Sequence, residues 1–155
     1  MALPMARRMA RLDFPADVVS ERTALVAVPL SATRQRERGY NQAEQLALAL
    51  GALWDVPVWS DTVQRVRSTT SQVRLTPSDR AANVAQAFAS SSVVSNRLKG
   101  AHIILVDDVV TTAATLNATA QVLIARGARI VSYATFGRAP EAGDRTVPDL
   151  DLDQD

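Results

Sequence analysis

A chain of 155 residues with 47% hydrophobic content has enough material for one core and no room for a second. It contains no cysteine, which excludes disulfides and thiolate metal sites, and its net charge of +1 gives no ground for a polyanion partner. Met1 to Leu12 carries arginines but no apolar stretch of signal-peptide length, and no run is long enough to span a bilayer, so a soluble cytoplasmic protein is expected.

In chain order, Ala24 to Val28 reads as a short strand that Pro29 ends. Leu30 to Tyr40 is polar and basic and is predicted to be a loop. Asn41, with Glu44 three residues later, has the form of a capping box. Ala43, Leu46, Ala47, Leu50 and Leu53 then recur at helical spacing, with Gly51 near the end of the helix they predict. Pro57 to Val66 should hold a further strand. Residues 67–76 show no apolar period and read as a mobile loop, after which Thr76-Pro77 forms a helix start. The clearest unit comes last. A strand over Ala101 to Val106, a helix over Ala114 to Arg126 closed by Gly127, and a strand over Arg129 to Phe136 make a βαβ crossover. Residues 1–140 are therefore expected to form a single α/β domain, and 141–155 an acidic, disordered tail.

The most telling run is Ile103-Ile104-Leu105-Val106-Asp107-Asp108-Val109-Val110-Thr111-Thr112-Ala113-Ala114-Thr115. An apolar, β-branched strand buried on both faces runs into two acids and then into hydroxyl and small residues at a helix start. Backbone N–H groups at a helix N-terminus attract phosphate. Adjacent carboxylates at a strand end suit ribose hydroxyls or a magnesium ion (Mg) carried in by a pyrophosphate. The lone histidine, His102, lies inside the strand and reads as structural.

This run resembles the phosphoribosyl pyrophosphate motif of type I phosphoribosyltransferases, with Ala113 where that family has glycine. Further blocks resemble the ComF/GntX-type branch: Val28-Pro29-Leu30, Arg36-Glu37-Arg38-Gly39-Tyr40-Asn41-Gln42-Ala43-Glu44, Arg65-x-Arg67-x-Thr69-x-x-Gln72, Arg80-x-x-Asn83-Val84 and Ala87-Phe88. The resemblance covers roughly residues 22–138. It implies a type I phosphoribosyltransferase-like fold, a mostly parallel central sheet flanked by helices, without the cysteine-rich zinc ribbon that precedes this domain in full-length relatives.

The resemblance also implies roles. Val109, Thr111, Thr112, Ala113, Ala114 and Thr115 would hold the 5-phosphate of 5-phosphoribosyl 1-pyrophosphate, and Asp107 and Asp108 its ribose hydroxyls and the magnesium shell. Leu30, Ser31 and Arg34 fall in the pyrophosphate loop. Arg67, in a segment that closes over the reaction, would neutralise the departing pyrophosphate. Transfer to an unidentified nitrogenous acceptor is the expected activity. The alternative is a ligand-binding or DNA-uptake accessory protein on the same fold, with a nucleic-acid or DNA-uptake partner open. Two conformations are open at Ala113: left-handed, which strains any residue with a Cβ, or right-handed in the first turn of a helix. The good helix that begins at Ala114 and Thr115 favours the right-handed one.

Overall fold

The central strand is buried on both faces, and the alternation of its side chains between them sets the architecture. A computed structural model describes residues 2–11, 14–30, 32–66, 87–89, 95–110 and 113–138, with the side chains of 32–34 and 95 outside that description. Strand β1 (Ala24–Ala27) lies parallel to β4 (His102–Val110), which lies parallel to β5 (Ile130–Arg138), in the order β1-β4-β5. Ala24, Val26, Ile103 and Leu105 face one side of the sheet, and Leu25, Ala27, Ile104 and Val106 the other, the two-residue period of a strand buried on both faces.

The first face packs against Leu116, Ala118 and Leu123 of helix α6 (Ala114–Ala125). The second packs against Ala43, Leu46, Ala47 and Leu50 of helix α4 (Gln42–Trp54) and against Ala6 and Met9 of helix α1 (Ala2–Met9). Fully burying a leucine such as Leu46 or Leu50 stabilises the fold by about 1.5–3 kcal/mol. Neither α1 nor the short α2 (Ala16–Glu21) is signalled in the sequence, because only Ala6 and Met9 of α1 are buried and α2 buries nothing. α2 is tied to the sheet through Arg129, whose guanidinium meets the Glu21 carboxylate at 2.5 Å. Both partners are exposed, so the pair contributes little.

Three expectations need correction. Leu30 to Tyr40 is not wholly loop, since Ala32–Arg38 forms helix α3. Its residues, Ala-Thr-Arg-Gln-Arg-Glu-Arg, are mostly good helix formers without an apolar stripe, so propensity acts where periodicity gives no signal. The strand over 57–66 is divided: Val58 makes a single parallel bridge to Leu25, and β2 (Gln64–Arg65) pairs antiparallel with β3 (Phe88–Ala89). β4 continues to Val110, so the two acids lie within the strand, where Asp107 and Val109 pair with Thr135 and Gly137 of β5. A one-turn helix, α5 (Ser95–Leu98), precedes β4 and buries Leu98.

The predicted helix over Asn41 to Leu53 is α4. The Asn41 side chain accepts from Ala43 N–H at 3.1 Å, as an N-cap should. Gly51 is required there because a Cβ would come within 2.7 Å of the Val56 carbonyl and 2.8 Å of Val58 Cγ2. The loop over 67–76, the helix start at Thr76-Pro77 and the tail over 141–155 lie outside the described residues. Among the described residues no helix is long and apolar enough to cross a membrane.

Candidate functional site

The carboxyl ends of β1 and β4 and the start of α6 open onto one cavity of about 370 Å3, placed where parallel sheets bind ligands. Asp107, Asp108, Val109 and Val110 form its floor, Ala113, Ala114 and Thr115 one wall, and Val28, Pro29 and Leu30 another.

Asp107 and Asp108 are adjacent in an extended strand, so their side chains take opposite faces. Asp107 has the parity of Ile103 and Leu105, toward α6, and Asp108 that of Ile104 and Val106, toward α4. Each carboxylate accepts from the next backbone N–H: Asp107 from Asp108 at 2.9 Å and Asp108 from Val109 at 2.8 Å. Burial pushes the Asp107 carboxyl up to about 7; the backbone hydrogen bond opposes this, and the neighbouring Asp108 charge adds to it. A strand-end acid thus disfavours its own charge until a donor, a cation or a proton arrives.

At the head of α6 the N-cap is Ala113, with φ 57° and ψ 1°. The expectation of a right-handed backbone here is corrected: Ala113 is left-handed, as the family's glycine would be. The turn out of β4 has to reverse the chain within a few residues before α6 begins, and that geometry overrides the helix propensity of the residues beyond it. Alanine has no oxygen with which to cap, and Asn117 N–H already returns to the Ala113 carbonyl. Among the described residues no side chain caps the first-turn N–H groups of this twelve-residue helix, which lie at the positive end of its dipole.

Of the residues the sequence nominates, Leu30, Asp107, Asp108, Val109, Ala113, Ala114 and Thr115 come together around this cavity. Ser31, Arg67, Thr111 and Thr112, and the side chain of Arg34, lie outside the described residues. Arg38, Asn41 and Arg65, to which the sequence alone gives no part in the site, also line the cavity. All three belong to the blocks that carry the family resemblance, which was the available signal. The Arg38 guanidinium donates to Gln42 Oε1, and that of Arg65 lies 5.4 Å from the Phe88 ring centroid. Asn41 does two things at once, capping α4 and donating from Nδ2 to the Val28 carbonyl at 3.0 Å. His102 stands at the other end of β4, 1% exposed, with Nε2 2.8 Å from Ser132 Oγ. It takes no part in the cavity, in keeping with a structural histidine.

Among the described residues no cluster of three or more His, Cys, Asp or Glu could hold a metal by itself. Set on opposite faces of β4, the two carboxylates form no direct clamp and suit instead contact with the water shell of an ion that arrives on a phosphorylated ligand.

A profile of the phosphoribosyl transferase domain matches residues 36–151, and the chain belongs to that family. Its relatives place it in the ComF-type branch. Competence protein F of Haemophilus influenzae is 36% identical over 140 residues, 86% of this chain and 61% of that protein. DNA utilization protein YhgH of Salmonella typhimurium is 39% identical over 131 residues, 82% of this chain and 51% of that protein. Competence protein ComFC of Bacillus subtilis is 33% identical over 115 residues, 72% of this chain and 42% of that protein. The chain thus spans about half the length of such relatives. Among solved structures, glutamine phosphoribosylpyrophosphate amidotransferase from B. subtilis, complexed with ADP and GMP, aligns with TM-score 0.55 at 12% identity, covering 87% of this chain and 26% of that one. Purine phosphoribosyltransferase from Pyrococcus horikoshii gives 0.52 at 14% identity, covering 94% and 77%. At these identities the likeness concerns the fold: a parallel sheet flanked by helices, of type I phosphoribosyltransferase form.

Proposed function

We propose that this chain binds 5-phosphoribosyl 1-pyrophosphate with magnesium and transfers the phosphoribosyl group to a nitrogenous acceptor in the cytoplasm. The observation that carries the reading is the opening of the two acids of β4 and the uncapped start of α6 onto one cavity. The N–H groups of Ala114 and Thr115, with the hydroxyls of Thr111, Thr112 and Thr115, receive the 5-phosphate. Asp107 and Asp108 accept from the ribose hydroxyls. Leu30, Arg38 and Arg65 of the cavity lining flank the pyrophosphate, Ser31 and Arg34 of the segment after Leu30 serve the same group, and Arg67 offsets charge on it as it departs. In the transfer, the C1–O bond breaks and its electron pair leaves with pyrophosphate. The lone pair of an acceptor nitrogen forms the new C1–N bond, and that nitrogen's proton passes to solvent. Magnesium held at Asp107 and Asp108 would supply charge neutralisation on the pyrophosphate.

A second reading rests on Ala113. A residue with a Cβ is held there at φ 57°, at a cost of about 1–2 kcal/mol, where the resembled motif has glycine. On this reading the fold binds its ligand in service of DNA uptake, the role to which the names of its relatives point. Calorimetric titration with the donor and magnesium, followed by measurement of pyrophosphate release with added acceptors, separates the two. Binding with acceptor-dependent release supports transfer, binding without release supports the second reading, and no binding overturns both.

A further inference from the structure

The chain leaves β1 through Val28 and Pro29, and proline has no N–H with which to extend the ladder. Val28 N–H donates to the Val106 carbonyl of β4 at 2.9 Å, one residue before Asp107, while the Val28 carbonyl accepts from a side chain, Asn41 Nδ2, at 3.0 Å. The other end of the same amide, Oδ1, accepts Ala43 N–H at 3.1 Å. Both partners are backbone groups of fixed polarity, so they dictate which end of the amide faces which. Capping alone does not account for an asparagine here. Serine and aspartate cap a helix as well, but neither carries a donor and an acceptor at the two ends of one planar group.

The two arms lead to two sides of the cavity. Leu30 lies two residues beyond Val28, and Arg38, three residues before Asn41, donates to Gln42 in the first turn of α4. The spacing between Leu30 and Arg38 is therefore set through the Asn41 side chain, and the bond from Val28 to Val106 refers that spacing to the strand that bears the acids. What lies behind this wall makes its position matter. Pro29, Leu30, Asn41 and Arg65 also line a neighbouring cavity of about 330 Å3, whose other residues include Glu44 and Asp61. The wall separates the seat of an anion from two carboxylates. If it yields, a pyrophosphate meets negative charge as well as misplaced contacts, and a shift of about 1 Å can cost on the order of a hundredfold.

We infer that Asn41 is a positioning residue for the pyrophosphate half of the donor, acting through Val28, Leu30 and Arg38, whose spacing from the acids of β4 it sets. This rests on the reading of the cavity as a donor site. It goes beyond that reading by dividing the site into a half that Asn41 governs and a 5-phosphate half, at the head of α6, that it does not.

The test separates the two arms of the side chain and the two halves of the site. Asn41→Ser keeps a neutral cap and removes the arm to Val28, whereas Asn41→Ala removes both. Calorimetry on the full chain compares the donor with magnesium against ribose 5-phosphate, which lacks the pyrophosphate. In Asn41→Ser, donor affinity should fall at least ~tenfold, with ribose 5-phosphate affinity within about twofold and the melting temperature within about 2 °C of the native chain. Asn41→Ala should show the same split and melt roughly 2–4 °C lower, because the cap is lost as well. In both variants hydrogen exchange at the Val28 amide should quicken, as the end of β1 loosens. Unchanged donor affinity in Asn41→Ser, equal losses for donor and ribose 5-phosphate, or unchanged Val28 exchange overturns the positioning role and leaves the donor site standing. A native chain that fails to bind the donor overturns the donor reading, and this role with it.

Discussion

The two ends of β4 bury titratable groups in opposite ways. At its start, His102 is 1% exposed, surrounded by the sheet, with Nε2 paired to Ser132 and its backbone N–H donating to Thr23 Oγ1 at 3.1 Å. Its Nδ1 is buried with no partner among the described residues, and burial holds its pKa below the ordinary value, so the ring stays neutral and inert. At the far end, Asp107 is pushed up to about 7 by burial beside a second acid, in a wall open to a cavity. Backbone strain shows the same division. In the turns at the histidine end the positive-φ positions are Gly100, Gly127 and, at the C-cap of α4, Asp55, residue types that tolerate a left-handed backbone, while the turn at the acid end places Ala113 there. One strand thus has a relaxed, closed end and a strained, open end, and strain with an unsatisfied charge marks where a ligand belongs.

The largest effect that would break this contrast is on donor binding. Asp107→Asn with Asp108→Asn keeps shape and removes charge, and should lower the affinity for the donor–magnesium complex at least tenfold, about 1.4 kcal/mol, by calorimetry. His102→Gln at the other end should leave that affinity unchanged. Equal losses from both ends would remove the distinction.

Next in size is the strain itself. Ala113→Gly relieves a left-handed alanine, worth about 1 kcal/mol, and should raise the melting temperature by roughly 2–4 °C. The loop already has the conformation a glycine would take, so donor affinity should gain less than about fivefold. A lower melting temperature would show that the Cβ contributes packing that outweighs the strain.

The pH dependence of stability sharpens the contrast, because the two ends slope in opposite directions. Asp107 has a folded-state pKa of about 7 against an ordinary 3.8, so its contribution is full at low pH and is lost as pH rises through that window. Asp107→Asn should therefore gain on the native chain between those limits, by on the order of 1 kcal/mol after discounting for solvent screening. His102 runs the other way. Its lowered pKa keeps the folded ring neutral, so its contribution is present above the ordinary 6.5 and fades as pH falls below it. His102→Asn should flatten the acid side of the melting-temperature profile, a smaller effect, and an unchanged profile would refute the buried, neutral assignment.

Much of this contrast is legible in the sequence. Ile103 to Val106 announces a doubly buried strand, the two acids mark its open end, and Asn41 marks the start of α4, because each signal is local and periodic. What escapes is tertiary. Helix α1 has only two buried residues to reveal its packing on α4. Helix α3 lacks an apolar face, and the handedness at Ala113 is dictated by where the chain must turn. Arg38 and Arg65 reach the cavity from segments far apart in the chain, which no spacing rule connects.

The double engagement of Asn41 has a consequence for how this domain can diverge. By capping α4 and grasping the Val28 carbonyl, one side chain clasps the two ends of the segment 29–40. The closure of that loop is thereby set at its base, independent of what lies between. Doubling the length of a flexible connection costs only about 0.6 kcal/mol, so insertions outside α3, whose Arg38 lines the cavity, should be inexpensive and leave the base of the segment closed. Variation between lineages can collect there, and with it new preferences for what enters, so long as the asparagine stays.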